Sequence, residues 1–145
     1  MDVEFTGIEM RLDELSECLA RLEALNEKSR VDFDGDGYLR DIVERNLEVA
    51  GQCCIDISHS IITLEKSRDP ADSSEAISLM GELGVLPVDL ARRLAPVVNF
   101  LDTLNYNLDI NWDDTYNHLQ NLDDLVRFGD LVREWLVKKA GESQG

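Results

Sequence analysis

Along residues 38–66 the apolar side chains Leu39, Val43, Leu47, Ala50, Cys54, Ile57, Ile61 and Leu64 recur at steps of three or four. At about 100° per residue these positions fall on one side of an α-helix, whereas a half-buried strand would need them at every second position. The spacing predicts a helix over 38–66. An apolar stripe of that length has to be covered by other helices.

The neighbouring segments supply the cover. Residues 6–29 carry Ile8, Leu12, Leu15, Leu19 and Leu22 as a narrow seam. The stretch Asp32-Phe33-Asp34-Gly35-Asp36-Gly37 breaks the pattern. After a turn at Arg68-Asp69-Pro70, Ser73-Ser74-Glu75 can cap a short third helix ending near Gly84. Leu86-Pro87 opens a fourth, with Leu90, Leu94, Val97, Val98, Leu101 and Leu104 on its apolar side. Pro96 lies inside that helix, removes one backbone donor and is expected to kink it. Residues 105–111 read as a polar turn. A fifth helix is expected from Asp113 or Asp114 to about Lys139, its basic end complementing the helix dipole. The tail, 141–145, is expected to fray. No hairpin signature, internal repeat or linker interrupts the series. The expectation is an all-α fold, one domain over 1–145, built as an antiparallel bundle of about five helices.

Charge narrows the function. Thirty Asp and Glu against fourteen Lys and Arg leave a net charge of −16, which argues against sequence-independent nucleic-acid binding by phosphate neutralisation. Dense surface carboxylates also suit a high-salt cytoplasm, where counter-ions screen their repulsion. Cys18, Cys53 and Cys54 cannot all pair, so a reducing compartment is expected. No signal-peptide pattern or membrane-length apolar run is present, and a cytoplasmic location is expected.

Several motifs invite sharper readings. Asp32, Asp34, Asp36 and Gly37 match the front of a calcium loop, yet its ninth and twelfth positions are Arg40 and Val43, so a turn with capping carboxylates is expected instead. Cys54 and His59 fall on nearly opposite sides of their helix and cannot share a metal; neither a metal nor a cofactor is expected. Cys53 and Cys54 read as small buried hydrophobes, His59 as a surface residue, and His118 as a hydrogen-bonded histidine at the core edge. On the fifth helix Leu119, Leu122, Leu125, Val126, Val132 and Leu136 form the main stripe. Phe128, Leu131 and Trp135 stand on another face, which marks them as an expected subunit or partner interface.

Four segments in order carry a family resemblance. Tyr38-Leu39-Arg40-Asp41-Ile42-Val43-Glu44-Arg45-Asn46-Leu47-Glu48-Val49-Ala50 continues into Ile55-Asp56-Ile57-Ser58-His59-Ser60-Ile61-Ile62. Ser78-Leu79-Met80-Gly81-Glu82-Leu83-Gly84-Val85-Leu86-Pro87 and then Leu90-Ala91-Arg92-Arg93-Leu94-Ala95, with Asn99-Phe100, follow. Across residues 8–136 the chain resembles HepT-like proteins of the HEPN superfamily. The resemblance implies a helical homodimer, RNA-cleaving toxin activity, and a minimal nucleotidyltransferase partner of the MntA type that adenylylates a tyrosine. The family pattern is an Arg, four to six residues, a His, and that Tyr two residues on. Such a His can act as acid–base in 2′-OH attack while the Arg steadies the phosphorane charge.

This chain departs from the pattern. Aligned on Phe100, Leu101 stands at the Arg position, Tyr106 at the His position and Leu108 at the modified Tyr position. Leucine neither transfers a proton nor holds a phosphate, and an unperturbed tyrosine titrates near 10. Two expectations follow. The first is a non-catalytic, dimeric HepT-like interaction protein that pairs with a nucleotidyltransferase. The second is an RNA endonuclease using unconventional residues around the same turn, with Asn105, Tyr106, Asn107 and Asp109 as candidates.

Overall fold

The computed structural model describes residues 3–104 and 111–144. Among these it holds seven helices and no strand: α1 (Val3–Leu25), α2 (Arg30–Asp34), α3 (Gly37–Leu64), α4 (Ser73–Glu82), α5 (Val88–Thr103), α6 (Trp112–Leu119) and α7 (Asp123–Gln144). The all-α bundle expected from the stripes is present.

α3 is its centre. The expected stripe is buried from Val43 to Ile61, but so are Gly51, Cys53, Ile55, Ser58 and Ile62 on its flanks. Ser58 is tolerated there because its hydroxyl donates to the Cys54 carbonyl at 2.8 Å. α1 lies antiparallel against α3, since Arg11 reaches Asp56 (3.6 Å) and Arg21 reaches Asn46 (3.5 Å). The α1 seam Ile8, Leu12, Leu15, Leu19 and Leu22 is buried along its whole length. α7 runs antiparallel to α1, with Arg133 on Asp13 (3.2 Å) and Trp135 against Phe5. α4 and α5 pair antiparallel through a close contact, where a Cβ on Gly81 would stand 2.9 Å from Ala91 Cβ.

Local chemistry explains the helix ends. Ser29 and Asp32 form a reciprocal capping box that starts α2, and the Asp36 carboxylate accepts from Tyr38 N and Leu39 N to start α3. Asp34 pairs with Arg30 at 3.1 Å. The three carboxylates of the calcium-like stretch thus serve two caps and an ion pair. α4 is capped by Asp72, one residue ahead of the expected serine. It closes at Gly84, whose φ of 78° lets Val85 N return to Met80 O. α5 remains helical through Pro96.

Two boundaries differ from the sequence reading. The break after residue 29 contains the five-residue α2, whose Phe33 is fully buried. The expected fifth helix is two helices. Leu119 and Leu122 both reach the core, so the apolar period crosses the gap. The backbone does not follow it, because amide side chains serve the main chain there: Asn121 donates locally to Asn117 O (2.7 Å), and Gln120 donates across to Asn26 O (3.3 Å). Asp123 and Asp124 then open α7.

Candidate functional site

The family's motif positions begin at the last turns of α5. Leu101 has no exposed surface and faces Gly51 of α3. It is a core residue, packed within the main hydrophobic cluster. Thr103 turns its hydroxyl back to the Phe100 carbonyl at 2.6 Å, and Leu104 closes the helix. Asn105, Tyr106, Asn107, Leu108 and Asp109, the other motif positions and alternative candidates, lie outside the described residues.

The chain resumes at Asn111, whose side chain accepts from Asp113 N (2.9 Å) to cap α6. Around that helix start an aromatic group assembles. Phe33 of α2 meets Trp112 at 5.5 Å and Tyr116 at 5.9 Å between ring centroids. Arg30 lies over the Tyr116 ring at 5.1 Å and also bonds Asp113 and Asp34. Its hydrogen bond to the Asp113 carboxylate is the chief reason the guanidinium holds its proton still more firmly. Arg40 of α3 approaches the Trp112 ring at 6.0 Å. Among the described residues the buried Trp112 Nε1 finds no acceptor.

His118 comes back from α6 onto α5. Its ring stacks on Phe100 at 4.4 Å and 25°, beside the position that aligns with the family's arginine. The sequence reading expected a hydrogen-bonded histidine; among the described residues the contact that holds the ring is this stacking, and His118 is half-buried. Burial lowers its pKa, with Asp114 opposing the shift, so near neutral pH the imidazole is uncharged and able to accept a proton. Nothing in the sequence pairs residues 100 and 118; only the return of α6 across α5 does. His59 is exposed on α3, as expected.

The three cysteines are buried and free. Burial pushes Cys53 up to about 12 and raises Cys54 and Cys18 as well, which suits packing groups rather than nucleophiles. Among the described residues no three His, Cys, Asp or Glu side chains are placed to hold a metal.

The second apolar face of α7 is only partly a face. Phe128 is fully buried within its own chain, which removes it from the expected interface trio. It belongs to the same buried core cluster as Leu125 and Val132 of its helix. Leu131 and Trp135 stay half-exposed and line a groove of about 460 Å³ against the α4–α5 link, with Gly84, Val85 and Pro87 opposite.

A family model described as ribonuclease HepT-like matches residues 15–132. The chain belongs to the HepT-like family. The match takes in α2 to α6 and about half of each of α1 and α7. The HepT-like chain is also similar in fold to solved structures. One is a toxin–antitoxin with AMP-PNP (TM-score 0.79, 22% identity, covering 88% of this chain and 97% of that one). Another is a tri-AMPylated HEPN toxin of Shewanella oneidensis in complex with an MNT antitoxin (0.79, 21%, covering 92% and 99%). A third is a mutant MntA–HpeT toxin–antitoxin (0.79, 23%, covering 88% and 98%). No curated protein matches. Among the described residues of this HepT-like chain, no helix is long and apolar enough to cross a membrane.

Proposed function

We propose that this chain, as one HepT-like domain, is a non-catalytic, dimeric interaction protein that pairs with a minimal nucleotidyltransferase. The observation that carries the reading is Leu101. At the position aligned with the family's arginine, the side chain is apolar and sealed against Gly51, so no guanidinium reaches a scissile phosphate from there. Leu108, aligned with the adenylylated tyrosine, offers no hydroxyl. The partner comes from the setting of the similar structures, in which a HEPN toxin is complexed with an MNT antitoxin. Leu131 and Trp135 are the proposed contact residues.

Incubation of the purified protein with RNA, alongside an active HepT-like ribonuclease, tests this directly. No cleavage is expected, and co-expression with a neighbouring nucleotidyltransferase should give a complex without adenylylation at residues 101–111. A second reading, RNA cleavage by unconventional residues, is favoured by His118, an uncharged imidazole in contact with the last turns of α5. Cleavage abolished by His118→Ala or Tyr106→Phe would establish it in place of the first.

A further inference from the structure

α6 is held to the bundle largely by contacts that water can reach. Of its eight residues only Thr115 and Leu119 are buried. A helix this short has little stability of its own, so its fastenings decide whether it stays in place. At its start Arg30 of α2 bonds Asp113 and lies over the Tyr116 ring at 5.1 Å. Arg40 of α3 stands 6.0 Å from the Trp112 ring. Asp113 is exposed and shares Arg30 with Asp34, and an ion pair open to solvent adds only modestly to stability.

The other end has a seat and a hinge. His118 stacks on Phe100 of α5 at 4.4 Å. Two residues later the helix has stopped, with Gln120 bonded to Asn26 O and Asn121 to Asn117 O. Leu122, 4% exposed, then fixes the chain that leads into α7. Around α6 the neighbouring elements carry Arg30 and Arg40 at its start, Glu44 and Glu48 further along α3, Asp102 on α5, and the Arg93–Asp124 pair between α5 and α7. On His118 itself only Asp114, one turn back, acts on the titration, and burial outweighs it. A proton on this imidazole therefore favours water over the seat on Phe100.

We propose that α6 is a hinged strap: Arg30 latches its start, His118 seats its end on Phe100, and when His118 takes up a proton the helix swings out about Gln120 and Asn121 while the rest of the bundle stays folded. Opening uncovers Phe33, which has no exposed surface in the closed form, and Phe100 beside Leu101. Local openings of this kind are drawn from elements that bury few apolar groups. His118 titrates near 6.5 when free and lower when seated, so the open form gains as pH falls through about 6.5. One proton sets the limit of that gain at about tenfold per pH unit. The strap is independent of whether the chain cleaves RNA.

Hydrogen exchange of the full chain, read by mass spectrometry and corrected for the intrinsic pH dependence of exchange, tests it. Amides of residues 112–119 should exchange through an opening more frequent than that of α3 and insensitive to low urea. Arg30→Ala should raise that opening about fivefold and leave α3 unchanged. His118→Phe keeps an aromatic ring on Phe100 without the proton, so the rise below about pH 6.5 should vanish. Three results overturn the strap: α6 amides that exchange in step with α3, an Arg30→Ala variant that leaves α6 unchanged or loosens α3 equally, and a pH profile that His118→Phe does not flatten.

Discussion

Gly51 of α3 and Leu101 of α5 meet so closely that a Cβ on residue 51 would stand 2.5 Å from the Leu101 Cβ. The atom it would strike is tied to the α5 backbone, so relief requires the two helices to part. Gly51→Ala should therefore destabilise the protein by about 1–3 kcal/mol through overpacking, set against a gain of at most about 1 kcal/mol in helix propensity. Urea unfolding of the variant measures the difference. A variant as stable as wild type would mean that the two helices do not approach so closely.

The same contact decides what a restored arginine would do. Leu101→Arg places a cation where the leucine has no exposed surface, a cost of about 3 kcal/mol or more. The variant should be poorly folded by circular dichroism and should gain no ribonuclease activity, even combined with Tyr106→His. Leu101→Met, close in volume, should cost less than about 1.5 kcal/mol. A well-folded Leu101→Arg protein that cleaves RNA would contradict both the burial and the non-catalytic reading.

His118 gives stability a pH dependence of known sign. Its pKa is lowered in the folded protein, chiefly by burial, from an unfolded value of about 6.5. As pH falls through that unfolded value, the unfolded chain binds the proton first, so the His118 contribution is intact above it and is lost toward the folded pKa. His118→Gln should flatten the stability profile across this acid limb. An unchanged slope between pH 7 and pH 5 would show that His118 does not titrate differently on folding.

Salt should stabilise the fold. With a net charge of −16, mutual repulsion of surface carboxylates opposes compaction, and counter-ions at molar concentration reduce the screening length to about 3 Å. The thermal midpoint should rise between dilute buffer and molar potassium chloride. A midpoint that stays level or falls removes the high-salt reading of the composition.

Much of the scaffold was legible in the sequence because helical periodicity is local. The stripes of α1 and α3, the carboxylate cap at Asp36, the Gly84 stop and the burial of Cys53 and Cys54 all depend on spacing within a few turns. The α6–α7 break was missed because the apolar period runs through Leu119, Leu122 and Leu125 without a gap. The signal that ends α6 is the amide bonding of Asn121 and Gln120, and Gln120 reaches across to Asn26, ninety-four residues away. Phe128 was misread for a related reason. A helical wheel gives its angle on α7 but not how far around that helix the neighbouring core extends.

The sequence by itself determined an all-α chain of HepT-like pattern, acidic overall, with leucine at the arginine position. Those properties reside in residue identity and in repeats along the chain. Tertiary structure alone decided that Leu101 is locked against Gly51, that His118 lies on Phe100, and that Phe128 is buried within its own chain. Each of these depends on which helix lies across which, and that is set by packing between segments far apart in the chain, where the number and depth of neighbours determine whether a side chain is buried, stacked or free.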